Sequence, residues 1–149
     1  NGRLLPCRTV KEDKVRSSNH LFFPGQIIYS KIRPNLAKAT IVNFGGLCSA
    51  DMYPINAQII PSFLLKYMLS ETFLNMAVKK DTRVAMPKIN QEELNTILVP
   101  LPPLAEQHRI VVRVDQLMAL CDELEVKLIQ AQQHSEKLME ATVRQILVA

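Results

Sequence analysis

The sequence predicts an α+β chain, in which a small mixed α/β body is followed by one long C-terminal coiled-coil helix. Three observations carry that prediction. All nine prolines and all four glycines lie at or before Pro103, and residues 104–149 contain neither. Within the body, short β-branched and aromatic runs alternate with Pro, Gly and Asn turns, as strands do. From Ile110 onward, apolar residues recur at alternating four- and three-residue steps, the period of a helix that buries one seam. The predicted organisation is therefore a body of residues 1–103 and a helix of residues 104–149.

Each element has a local reason. The first 20 residues are polar and basic and read as loop with at most one strand. Pro24-Gly25 predicts a type II turn in which Gly25 supplies the positive φ. Gln26 to Ser30 follows as a strand, and Lys31 to Asn35 leaves it as a basic loop. Ala39 to Phe44 predicts a second strand and Leu47 to Tyr53 a third, so Gly45-Gly46 reads as a hairpin turn between them. Pro61 opens a predicted helix to about Ala77, whose apolar residues wrap most of its circumference. Asn90 followed by Glu93 predicts a capping box on a short helical turn. Ile97 to Leu101 is a short extended run into Pro102-Pro103. Two prolines can lead into a helix, and Glu106 places a negative charge in its first turn.

The helix seam comprises Ile110, Val114, Leu117, Cys121, Leu124, Leu128 and Ala131, reaching Leu138 through Ser135. Met139, Val143 and Ile146 resume it one residue out of phase. At about 1.5 Å per residue the helix would span roughly 65 Å, far more than a body of this size can cover. Isolated helices are marginal in water, so pairing with a second helix or a dedicated partner is expected.

Composition narrows the function classes. With 48% hydrophobic and 21% charged residues the chain is a folded globular one. Its net charge of +4 is unevenly spread: residues 1–50 carry +6, residues 51–103 carry 0 and residues 104–149 carry −2. A basic body points to a polyanionic partner such as nucleic acid, and an amphipathic helix to protein contact. An ordinary surface of slightly high pI is the alternative. Cys7, Cys48 and Cys121 are odd in number and widely spaced, which predicts free thiols in a reducing compartment. No apolar run is long enough for a membrane span, and the cytoplasm is the expected location.

Catalytic signatures are absent from the sequence. The acidic-x-Lys triplets Glu12-Asp13-Lys14 and Glu125-Val126-Lys127 have no acidic partner on a strand, and the second falls on the helix. His20, His108 and His134 are scattered without metal-ligand spacing, so no metal site is expected. The four glycines form no phosphate cradle. Two basic sets are more informative: Lys31, Arg33, Asn35 and Lys38 around one strand end, and Lys79, Lys80, Arg83 and Lys88 in a second loop. Arg suits bidentate contact with guanine, Asn with adenine and Lys with phosphates. Taken singly, each is more often an ordinary solvated loop charge; two such sets in one small domain raise the DNA reading.

The segment INQEELNTILVPLPPLAEQHRIVVRVDQLMALCDELE, from Ile89 to Glu125, resembles the DNA-specificity subunit of type I restriction-modification systems. The run FFPGQIIYSKIRPNLAKA is similar to that family's strand and Arg-Pro turn, with Gln26 where an acidic residue is usual. The resemblance implies a target recognition domain that reads one half of a split DNA sequence. It also implies a long helix that pairs with an antiparallel partner, spaces two such domains and docks the methyltransferase subunits. Roughly 65 Å of helix matches about two turns of B-DNA. Because residues 1–103 are short for such a domain, the chain resembles the C-terminal part of a subunit, or a half-subunit. The resemblance further implies a chain without catalysis or cofactors of its own. S-adenosylmethionine, ATP and Mg would then belong to the modification and restriction subunits. The expected DNA contacts are Lys31, Arg33, Asn35, Lys38, Lys79, Lys80, Arg83 and Lys88. The expected helix-pairing residues are Ile110, Val114, Leu117, Cys121, Leu124, Leu128 and Leu138. Two other readings stand beside this one: a coiled-coil adaptor without DNA specificity, and an enzyme using Glu12 or Asp51.

Overall fold

The computed structural model describes residues 8–13, 18–79 and 87–148. Two compact units divide between Val111 and Val112. A short helix α1 (Val10–Asp13) precedes strand β1 (Asn19–Phe22) and strand β2 (Ile27–Ser30). A 3₁₀ turn (Pro34–Leu36) leads to β3 (Ala39–Ile41), β4 (Gly46–Ser49) and β5 (Met52–Ile55). Helices α2 (Pro61–Met68), α3 (Glu71–Lys79) and α4 (Gln91–Asn95) complete the body before α5 (Leu104–Val148). The Pro24-Gly25 turn has the predicted geometry: Gly25 adopts φ 87° and the Gln26 N–H donates to the Phe23 carbonyl at 3.3 Å.

Strand β2 organises the body. It is central in an antiparallel sheet of order β3-β2-β5, and all four of its residues are buried. Because strand side chains alternate faces, Ile27 and Tyr29 enter one core with Leu64, Met68, Phe73, Ala77, Ile89 and Ile97. Ile28 points the other way, into a second core with Phe22, Val42 and Cys48. Helices α2 and α3 cover the first face, and the ribbon β1–β4 supplies residues to the second. Burying a side chain such as Ile27 stabilises the fold by about 1.5–3 kcal/mol. Pro54 lies opposite Ile28, but on β5, an edge strand of this sheet, where its missing N–H leaves no ladder bond unmade.

The predicted hairpin at Gly45-Gly46 does not form. β4 pairs with β1 instead of β3, and Leu47–Tyr53 is split at Ala50-Asp51 into β4 and β5, which join different sheets. A two-residue hairpin of this kind needs positive φ, and Gly25 is the only described glycine that has it. Gly46 serves close packing: it faces Phe22 across the ribbon, and a Cβ there would sit 2.9 Å from Phe22 Cζ.

The single helix predicted from Pro61 to Ala77 is two helices. Ser70 interrupts it, its hydroxyl donating to the Tyr67 carbonyl at 2.6 Å and accepting from the Phe73 N–H at 3.4 Å. A serine that captures main-chain groups in this way competes with the helix ladder. The break explains the apolar wrap, since α2 and α3 each turn a separate stripe inward. The Asn90–Glu93 capping box forms in both directions, at 2.8 and 2.9 Å. Ile97–Leu101 joins no sheet: Ile97 is buried and Leu98 and Leu101 are exposed.

Helix α5 starts where the prolines end. The N–H groups of Glu106 and Gln107 donate to the Pro103 carbonyl at 2.8 and 3.0 Å, and Glu106 pairs with Arg109 at 3.0 Å. Gln107 is only 3% exposed. Its side-chain oxygen accepts from the Ile60 N–H at 3.1 Å, just ahead of α2, and its amide donates to the Pro102 carbonyl at 2.9 Å. No described helix is long and apolar enough to cross a membrane.

Candidate nucleic-acid interface

Residues 31–38 form a loop held at both ends by main-chain bonds. The Lys31 N–H donates to the Asp51 carbonyl and the Ile89 N–H to the Lys31 carbonyl, each at 3.0 Å. The Arg33 N–H donates to the Pro87 carbonyl at 2.7 Å, and Ile32 and Lys88 form an isolated antiparallel bridge. At the far end the Ser30 N–H donates to the Lys38 carbonyl at 3.0 Å. Between these ties lies the 3₁₀ turn, closed by bonds from the Leu36 and Ala37 N–H groups to the Arg33 and Pro34 carbonyls, each 3.0 Å.

The turn is strained. Arg33 and Ala37 flank it in the left-handed region, at φ 51° and 48°. Neither residue is glycine, and Arg33 also precedes a proline, a position that disfavours helical geometry. Such conformations persist where the surroundings over-determine them. Here the buried Pro34 ring, the packing of α3 against the turn and the bond to Pro87 do so. The side chains of Arg33, Asn35 and Lys38 stand exposed.

Lys31 and Lys88 have a different setting. The Lys31 ammonium donates to the Ala50 carbonyl at 2.8 Å, lies 3.3 Å from Asp51 Oδ1 and sits 5.7 Å from the Tyr53 ring centroid. Lys88 reaches the same Asp51 oxygen at 3.8 Å. One carboxylate thus gathers a lysine from each of the two basic sets. Of the remaining predicted DNA contacts, Lys80 and Arg83 lie outside the described residues. Lys79 closes α3, with its side chain outside the description.

Burial pushes the Tyr29 phenol up to about 12. Its hydroxyl finds no hydrogen-bond partner among the described residues. Burial also raises the Cys48 thiol. On the exposed α1, hydrogen bonds from the Thr9 N–H and hydroxyl lower Glu12. Cys48 and Cys121 are free, the first buried and the second exposed; Cys7 lies outside the described residues. Among the described residues no group of His, Cys, Asp and Glu is placed to hold a metal ion. Lys127, from the second acidic-x-Lys triplet, pairs with Glu123 at 2.7 Å on the surface of α5.

Along the predicted helix seam, Ile110 and Val114 are half-buried, and Leu117, Cys121, Leu124, Leu128 and Leu138 are exposed. Leu124 and Leu128 are 64% and 70% exposed, unusual for leucines at regular heptad positions.

Two residues were not legible as parts of these sites. Asp51 was legible only as a lone acid, because its two lysines reach it through tertiary pairing. Gln107 did leave a signal: it lies seven residues before Val114 and three before Ile110, a polar side chain in register with the apolar seam.

A family model described as the type I restriction modification DNA specificity domain matches residues 1–132. The chain is similar to the type I restriction enzyme EcoDI specificity subunit of Escherichia coli. The two are 53% identical over 124 residues, 83% of this chain and 28% of that relative. To the EcoBI specificity subunit of the same organism it is 33% identical over 99 residues, 66% of this chain and 19% of that one. It therefore spans between about a fifth and just over a quarter of these relatives' length. Among solved structures it is similar to a chain from a study of complex assembly and conformational transition in the type I R-M system. That match has a TM-score of 0.78 and 28% identity, covering 89% of this chain and 36% of the other. The crystal structure of the HsdS subunit from Thermoanaerobacter tengcongensis matches with a TM-score of 0.68 and 31% identity, covering 78% and 32%.

Proposed function

The chain belongs to the family of type I restriction modification DNA specificity domains, and from that membership we propose that it is a non-catalytic reader of double-stranded DNA. In this reading it recognises one half of a bipartite target within a restriction-modification complex in the cytoplasm. Residues 1–103 act as part of a target recognition domain, and residues 104–149 as the spacing and docking helix. The observation that carries the reading is the braced loop of residues 31–38. It presents Arg33, Asn35 and Lys38 from a body, residues 1–103, of net charge +6. Arg and Asn are suited to base edges, and lysines to phosphates. Methyl transfer from S-adenosylmethionine and ATP- and Mg-dependent cleavage fall to the modification and restriction subunits.

The exposed seam from Leu117 to Leu138 supports a second helix as partner, from another copy or another specificity half. Selection from a randomised duplex pool, with the chain assembled with its modification subunits, tests the DNA reading. Enrichment of two short blocks at fixed separation, with affinity falling steeply as salt rises, is the expected result. An assembled complex that enriches nothing would refute it and favour the adaptor reading. Leu124→Asp should reduce the mass of the assembly; an unchanged mass would remove the helix-pairing claim.

A further inference from the structure

The two basic sets, taken together, contain residues of unlike availability. Lys31 is 24% exposed in its side chain and has three commitments: the Ala50 carbonyl, Asp51 and the Tyr53 ring. Lys88 shares the same carboxylate oxygen, while its main chain bridges Ile32. A single exposed ion pair is weak. Here, though, the two pairs converge on one oxygen beside three main-chain hydrogen bonds: Lys31 to Asp51, Ile89 to Lys31 and Arg33 to Pro87, the last two forming the Ile32–Lys88 bridge. Two ammonium groups brought together would repel without the carboxylate between them. The reading loop begins two residues beyond this node, at Arg33.

We propose that Asp51 is a positioning residue for DNA reading: it locks Lys31 and Lys88 into a brace beneath the loop, so that Arg33 and Asn35, and not the two lysines, meet the base edges. The proposal rests on the DNA-binding reading above and divides its candidate residues into readers and struts. The Arg33 guanidinium, beside a main chain fixed at φ 51°, suits the paired acceptors of a guanine edge. Asn35, two residues on across the 3₁₀ turn, suits an adenine edge, and Lys38 suits a phosphate. With its negative charge between the lysines, Asp51 also withdraws them from the phosphate backbone.

The test uses the chain assembled with its modification subunits and the motif selected by the unaltered complex. Binding to the motif and to a random duplex is measured across a salt series. Asp51→Asn should cut the motif-over-random ratio by roughly tenfold or more, the scale of a lost base contact. It should also steepen the salt dependence, by about one unit of slope for each lysine released to a phosphate. Asp51→Glu should restore the ratio. Arg33→Ala should erase preference at one or two adjacent motif positions while random-duplex affinity holds. An unchanged ratio in Asp51→Asn would overturn the proposal, as would a uniform loss in Arg33→Ala. So would a Lys31→Met/Lys88→Met complex whose salt slope flattens by about two, because both lysines would then already contact phosphates. If Asp51→Asn fails to fold, the arginine and double-lysine variants decide the question alone. A wild-type complex that selects no motif would defeat the DNA-binding reading itself, a failure distinct from these.

Discussion

Gln107 is the residue whose loss should be felt most sharply for its size. It is buried, and its amide bridges the Ile60 N–H and the Pro102 carbonyl, tying the first turn of α5 to the entry of α2. Gln107→Ala orphans one donor and one acceptor. At about 1–3 kcal/mol for each unsatisfied group, partly recovered by entering water, the expected cost is about 2–4 kcal/mol. For a body of this size that lowers Tm by about 10–20 °C. Tyr29, Tyr53 and Tyr67 are the only tyrosines and all lie in the body, so tyrosine fluorescence follows its unfolding without signal from α5. Gln107→Glu sharpens the test. A carboxylate can accept from Ile60 but cannot donate to Pro102, so burial and the facing carbonyl raise its pKa above the unfolded value. Protonation restores the missing donor. The folded state then holds the proton more tightly than the unfolded one, so stability relative to wild type is greatest at low pH. It is lost as pH rises through the raised pKa. A Gln107→Ala loss below about 0.5 kcal/mol, or a Gln107→Glu deficit independent of pH, would refute this reasoning.

Three further outcomes are expected. Tyr29→Phe removes a buried hydroxyl without a described partner, so stability at neutral pH should hold or rise by up to about 1 kcal/mol. Wild type should then lose about 2 kcal/mol between pH 10 and 12, as the unfolded phenol ionises ahead of the folded one, raised to about 12. The difference between the two proteins in alkaline urea titrations isolates this; parallel curves would count against a raised Tyr29. Asn90→Ala should cost about 1 kcal/mol through loss of the side-chain oxygen that accepts from the Glu93 N–H, while the Asn90 N–H keeps its bond to the Glu93 carboxylate; urea unfolding reads it. Ala37→Gly should stabilise by about 0.5–1 kcal/mol because it relieves a left-handed alanine, and a destabilised variant would mean that the conformation is not strained.

What could be read from the sequence followed from local chemistry. Proline placement located the start of α5, the Asn90–Glu93 spacing set the cap, and Pro24-Gly25 set the turn. Each rests on residues that interact within a few positions. Failures came where partners are distant or a local competitor was overlooked. The pairing of β4 with β1 depends on residues more than twenty positions apart, and Gly46 is needed for Phe22 and not for a hairpin. The break at Ser70 was visible in principle, since serine competes for main-chain bonds, but the apolar run around it masked the signal. At the candidate interface the sequence marked two basic sets without distinguishing exposed side chains from those held by Asp51. That distinction is purely tertiary.

The loop of residues 31–38 has one more property. The hydrogen bonds that shape residues 33–38 run between main-chain atoms, and the buried anchor is a proline ring, while the outward positions are 33, 35, 36 and 38. Shape and identity are therefore separable. Under the DNA reading proposed above, mutation can exchange the outward side chains while the scaffold that aims them keeps its bonds, so a lineage could acquire a new preference in single steps without crossing an unfolded intermediate.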